Sequence, residues 1–253
     1  MNTTYLGLEI RRIARDPVRL FFTAALPLFF YLVFGAAQDY SSQSAGNGNV
    51  AMIIMVSMAA YGAVTASVSI GGMAAVERMQ GWGRQLGLTP LPDRGYIAVK
   101  VGLALTVTAL PLALIYVAGA LTGASGTPTA WALSGLALLV GTTLFALYGL
   151  VFALAFRTEG AVSAATGSVV ILGFLGNIFF PLSGTMLTIA KFTPLYGLFS
   201  LARYPISGGD LPDGATGELI HEPLWVLVAN VAGWLVLLAA IAIFLVRRSR
   251  MRQ

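Results

Sequence analysis

Long uncharged apolar runs alternate with short polar segments along the whole chain. In the lead, residues 1–16, Leu6, Ile10 and Ile13 share one helical face while Arg11, Arg12 and Arg15 lie opposite, the pattern of an amphipathic interfacial helix. Asp16 precedes Pro17, which disfavours helical geometry at Asp16 and separates this lead from a first span ending near Gly35. A polar loop at 39–49 follows. The next apolar run, 50–76, would be about 40 Å long as a helix, more than the roughly 30 Å hydrocarbon core requires, so the second span is expected to protrude toward Glu77.

The uncharged stretch 101–156 is long enough for two spans, divided by the turn-forming GASGTP at 123–128. A tight turn at 157–160 leads to a fifth span beginning near Ala161, which Pro181 is expected to break. Two pieces, 182–190 and 195–202, are divided by Lys191 and Pro194 and are too short to cross a bilayer. Their backbone ends need protein or water, which predicts a re-entrant hairpin. A polar, acidic segment at 207–222 then returns the chain to a last span, 223–246. The expected fold is all-α: one transmembrane domain, 1–253, with six spans, the amphipathic lead, and an outer hairpin and loop at 181–222 between spans five and six.

Composition narrows the class. With 57% apolar and 10% charged residues and a mean hydropathy of +0.83, the chain is too apolar for a soluble domain. Of the fifteen Lys/Arg, thirteen fall in the segments 1–19, 77–100, 157–160 and 247–253, which places both termini inside and the chain in the cell (inner) membrane. The net charge of +5 is thereby explained by orientation, and no nucleic-acid partner is expected. A basic start, an apolar core and Gly35, Ala36 and Ala37 also meet the minimal signal-peptide pattern, but the long lead and Pro27 fit an uncleaved span better. No Cys and a single His exclude disulfides, thiolate catalysis and a credible zinc site. No G-x-x-x-x-G-K-[ST] loop occurs, so ATP is not bound by that route. None of the six expected spans carries an Asp, Glu, Lys, Arg or His, which disfavours proton- or ion-coupled transport; energy is expected to arrive from outside the membrane.

The segment positioned to receive it is 77–100, which holds Glu77, Arg78, Arg84, Asp93, Arg94 and Lys100 between two charge-free runs. As a helix, Glu77, Gly81, Arg84 and Leu88 share one face, with Arg78, Trp82 and Gln85 on its neighbour, until Pro90 and Pro92 end it. The sequence ERMQGWGRQLGLTPL resembles the cytoplasmic loop motif of the type-two family of ATP-binding-cassette (ABC) export permeases, roughly E-R-x-x-G-T-x-E-x-L-x-x-[ST]-P-[LI]. Glu77, Arg78, Gly81, Leu86, Thr89, Pro90 and Leu91 match, whereas Trp82 stands at the usual Thr and Arg84 where an acid is common. The R-D-P turn at Arg15 to Pro17 and a proline at Pro27 are similar to the entry of that family's first span.

The resemblance implies a cytoplasmic coupling loop at 77–100 that contacts a separate ABC ATPase through Glu77, Arg78, Gly81, Trp82, Arg84, Gln85 and Leu88. It also implies two ATPase copies, which bind ATP and magnesium, and a second permease copy in a homodimer surrounded by lipid. This chain itself is expected to bind no cofactor or metal and to catalyse no reaction. The implied function is export of an amphipathic drug, antibiotic or lipid-like substrate, with Phe174, Asn177, Phe179, Phe180 and Ser183 as a candidate substrate path. Two alternatives stay open. One is a secondary transporter; the other follows from G-x-S-G at 123–126, which looks like the serine motif of rhomboid intramembrane proteases, with His221 as base. Tyr148, Ser163, Thr166 and Ser168 are expected chiefly as helix-to-helix glue, and the spacings Ser163/Gly167 and Gly119/Gly123 permit close helix approach.

Overall fold

The computed structural model describes Gly7, Arg11 and residues 15–79, 93–156, 158 and 160–250. The amphipathic lead and residues 80–92, including Gly81, Trp82, Arg84, Gln85 and Leu88, therefore fall outside the described residues, Gly7, Arg11 and Arg15 excepted. The first apolar run forms α1 (Pro17–Leu20), a π-helical turn (Phe21–Ala25), α2 (Leu26–Tyr31) and a second π-helical turn (Leu32–Ala36). Pro27 explains the first widening: it offers no N–H to the carbonyl four residues earlier, and its ring crowds that turn.

Helix α3 (Val50–Met79) is the central element. Its most apolar stretch is 78% buried, against 17% for the last helix, and it packs against the elements formed by 93–121, 128–155, 160–175 and 194–207. Asn49 starts it by accepting the Met52 N–H at 3.0 Å, one of the donors that a helix start leaves without an internal partner. Three further long helices follow: α4 (Asp93–Leu121), α5 (Pro128–Ala155) and, at the end of the chain, α9 (Leu224–Arg250). Thr127 caps α5 by accepting from Ala130 N, and Pro128 stands in its first turn, where a missing N–H costs nothing. The turn expected at 123–128 is thus where the chain reverses.

The closest helix contact is between α3 and α5. A Cβ on Gly71 would run into the Ala146 carbonyl, and one on Gly149 into the Val68 carbonyl, so backbone meets backbone there. Ser67 donates to the Thr142 carbonyl at 2.6 Å across the same interface. Tyr116 and Ser134 join α4 to α5, and Tyr148 and Ser168 join α5 to α6 (Gly160–Leu175), each pair at 2.8 Å. Thr166 instead bonds back to the Val162 carbonyl of its own helix. Ser163 and Gly167 lie on the exposed face of α6, whereas Gly119 is covered by Met55.

Among the described residues, α3, α4, α5 and α9 are long and apolar enough to cross a membrane; 23–36 and α6 are apolar but shorter. The fifth run departs from expectation, because its helix ends at Leu175 rather than at Pro181. Asn177 takes a left-handed conformation (φ 60), and the N–H groups of Asn177 and Ile178 bond back to Phe174 and Gly173. These paired bonds close a helix C-terminus with Asn in the position glycine usually holds.

The chain then forms α7 (Gly184–Ala190) and α8 (Pro194–Ser207). The second is longer than the expected 195–202. It continues through Pro205, which lies in its last turn, until Gly208 turns left-handed (φ 68). Helix α4 starts at Asp93, earlier than the run at 101, so that Asp93, Arg94 and Lys100 belong to its first turns. Polar loops at the end opposite Glu77 hold two short antiparallel ribbons, β1 (Ser44–Ala45) with β2 (Gly48–Asn49) and β3 (Asp210–Pro212) with β4 (Leu219–His221).

Candidate functional site

A cavity of about 530 Å³ lies at the ribbon-bearing end, a size ordinary for ligand sites. Two helices and the loops around them build it. Val50, Ile53, Ile54 and Ser57 come from the first turns of α3; Asn177 to Pro181 come from the chain leaving α6; Phe199, Arg203 and Ser207 come from α8. Tyr40, the β1 segment and Asp210, Pro212 and Leu219 of the β3–β4 ribbon complete the wall.

Of the five residues expected along a substrate path, Asn177, Phe179 and Phe180 line this cavity. Phe174 packs on both phenylalanines, with ring centroids 5.0 Å and 5.8 Å away, and Phe179 also meets Tyr61 of α3 edge-on at 5.3 Å. Ser183 is not on the wall; it precedes α7 without a capping bond. Asn177 is 5% exposed, and its Oδ1 accepts the Leu182 N–H at 2.7 Å, so its side chain and its backbone both serve the turn.

Arg203 was not singled out by sequence, yet it is the most unusual group here. It is 5% exposed, its guanidinium stands 4.7 Å from the centroid of the Phe199 ring, and Nε and Nη2 have no hydrogen-bond partner. The sequence carried a usable signal: Tyr196, Ser200, Arg203 and Ser207 fall at i, i+4, i+7 and i+11, a polar stripe on a helix that is otherwise apolar and buried.

The acids nearby have other partners, although Glu222 Oε2 is buried without a hydrogen-bond partner. Lys191 Nζ lies 2.9 Å from Glu222 Oε1, and His221 Nδ1 lies 2.8 Å from Asp210 Oδ1. Asn230 and Trp234 of α9 donate to the carbonyls of Lys191 and Phe192, at 2.8 Å and 2.9 Å, and so fasten the α7–α8 turn. In the β3–β4 loop, N–H bonds from Ala215 and Thr216 hold the Asp213 carboxyl below the usual range.

The stitching of the loops also bears on the serine motif. Asn49 Oδ1 accepts the Ser125 N–H, Asn49 Nδ2 donates to the Gly123 carbonyl, and Asn47 donates to the Pro205 carbonyl. The hydrogen-bond partner of His221 is Asp210 on the ribbon rather than Ser125.

At the other end of α3, Glu77 is 3% exposed and continuous with the helix, not at the start of a separate exposed one. Arg78 follows it in the same helix. The remaining residues expected at a partner contact lie outside the described residues.

No family model and no solved structure matches the chain. One curated protein does: the chain is 26% identical over 208 residues, 79% of its own length and 83% of the relative's, to "Putative transport permease YvfS" of Bacillus subtilis (strain 168). Over most of its length, then, this chain is similar to a transport permease, and its apolar helices fit the membrane subunit that the Glu77 motif resembles.

Proposed function

We propose that this chain is the transmembrane subunit of an ABC exporter in the cell (inner) membrane. It works as a homodimer with two copies of a separate cytoplasmic ATPase, and it moves an amphipathic drug, antibiotic or lipid-like substrate outward. The similarity to a transport permease carries the reading. The lack of Asp, Glu, Lys, Arg and His inside the expected spans supports it, because coupling to an ion gradient ordinarily needs such groups.

In this reading the chain crosses six times with both termini inside. The runs at 20–35 and 161–180 make the first and fifth crossings, the lead lies on the inner surface, and α7 and α8 form the re-entrant outer hairpin. The ATPase contacts 77–100. Arg78, Gly81, Trp82, Arg84, Gln85 and Leu88 make the contact, and Glu77, buried at the end of α3, anchors the segment to the helix.

Affinity purification of the native complex from membranes, with the bound ATPase identified, tests the proposal. Arg84→Glu should weaken that association while leaving membrane insertion near normal. Recovery of the chain with no ATPase, or unchanged association and export in Arg84→Glu, would overturn it.

A further inference from the structure

Arg203 presents a problem of charge. An arginine side chain stays protonated, and a buried cation costs free energy unless a partner or ligand compensates it. The ring of Phe199 compensates in part. Glu222 acts on Arg203 through space, but its Oε1 is paired with Lys191 and its Oε2, also buried, hydrogen-bonds nothing; Asp210 is paired with His221. Among the described residues, no carboxylate hydrogen-bonds the Arg203 guanidinium, and two of its nitrogens have unused donors. A planar guanidinium with spare donors is the side chain best shaped to hold a carboxylate or phosphate by two bonds.

The cavity beside it is amphipathic in the matching sense. Its lining includes the polar groups of Arg203, Ser57, Asn177, Ser207 and Asp210, the last paired with His221, and the apolar side chains of Ile53, Ile54, Phe179 and Phe180, the last half-exposed. We propose that this cavity binds an amphiphile bearing an anionic group, a carboxylate or phosphate, with the anion on Arg203 and the apolar body along Phe179 and Phe180. This deepens the export reading by giving its substrate a charge and a seat, and rests on that reading only for the claim that the bound molecule is cargo.

The test uses the purified full-length chain in a neutral maltoside detergent, with binding followed by isothermal titration. Dodecyl phosphate is the probe; dodecyltrimethylammonium and inorganic phosphate are the comparisons. Dodecyl phosphate should saturate at one per chain. Loss of a charge-assisted bond in Arg203→Gln should weaken it about ten- to hundredfold, while Arg203→Lys, which keeps the charge but loses the two-bond fork, should fall between wild type and Arg203→Gln. Ile54→Trp, which fills the cavity without touching Arg203, should block binding.

Equal affinity for the cationic probe would overturn the inference, as would unchanged binding in a folded Arg203→Gln protein. Inorganic phosphate binding as tightly as dodecyl phosphate would remove the apolar half of the site. Should Arg203→Gln fail to fold, Ile54→Trp decides, since unaltered binding there rules the cavity out. ATPase association is scored separately. A chain that recruits ATPase yet ignores Arg203 loses this inference alone, and one that binds dodecyl phosphate without any ATPase loses only the export reading.

Discussion

Asn177 holds the turn between α6 and the hairpin by two separable means, and substitutions can pull them apart. Its φ of 60 lies where a side chain with a Cβ pays roughly 1–2 kcal/mol, a cost asparagine bears better than most residues. Its Oδ1 accepts the part-buried Leu182 N–H at 2.7 Å, a bond whose loss costs about 1–3 kcal/mol when the donor stays buried. Asn177→Gly removes the bond but enters the left-handed region freely, so it should cost about 1–3 kcal/mol. Asn177→Ala removes both and should cost about 2–5 kcal/mol. Thermal unfolding in neutral detergent, followed by tryptophan fluorescence, should rank wild type above glycine and glycine above alanine. Amide exchange at Leu182 should accelerate in both variants. If glycine and alanine were equally destabilised, the left-handed constraint would carry no energy; if Leu182 exchanged as slowly as in wild type, the side-chain bond would carry none.

Three other outcomes are expected. Gly71→Leu should drive α3 and α5 apart and cost about 1–3 kcal/mol or more, seen as loss of monodisperse protein, while Gly167→Leu, with open space around it, should leave the fold intact. Glu222→Gln strips Lys191 of its partner and should lower stability by about 1–3 kcal/mol, less than a fully buried pair would lose because the Lys191 side chain is 38% exposed, read by the same unfolding assay. In this Cys-free chain, single cysteines at Ser125→Cys and Ala215→Cys, both exposed, should react with a membrane-impermeant maleimide from outside intact cells. Thr89→Cys should not, and outside labelling at that position would reverse the proposed orientation.

Local chemistry explains which parts of this architecture were legible in the sequence. The boundary at Thr127 and Pro128 follows from a capping hydroxyl and a residue without an N–H, and both act over one helical turn. The end of α6 did not follow, because Asn177 can adopt left-handed geometry but is not compelled to, and the bonds that select it close only when the chain returns to Leu182. Pro181 is the stronger local signal and lies six residues beyond the helix end at Leu175. The ribbons at 44–49 and 210–221 were read as plain loops: strands of two or three residues carry no alternation to detect. In the candidate site, Phe179 and Phe180 are legible as apolar groups near a break, whereas Arg203 is, in the sequence, simply one of the two Lys/Arg outside the inner segments. Its significance depends on burial, which four other elements impose on α8.

The distribution of buried charge connects the two ends of α3. The described stretches of the apolar helices are free of Asp, Glu, Lys, Arg and His over their middles, and the buried charged residues, Glu77, Arg203 and Glu222, stand at helix ends or in the hairpin. Ser57 and Glu77 are twenty residues apart on one unbroken helix, about 30 Å, close to the thickness of a hydrocarbon core. One end of that helix forms a wall of the cavity and the other holds a carboxylate next to the motif-bearing segment. The backbone contact at Gly71 and Gly149 fixes α3 against α5 between these points. Under the proposed function, a pull at Glu77 therefore cannot be absorbed by bending a loop. It must rotate or slide α3 against α5, and because Val50, Ile53, Ile54 and Ser57 move with it, the cavity facing Arg203 must change shape in the same step.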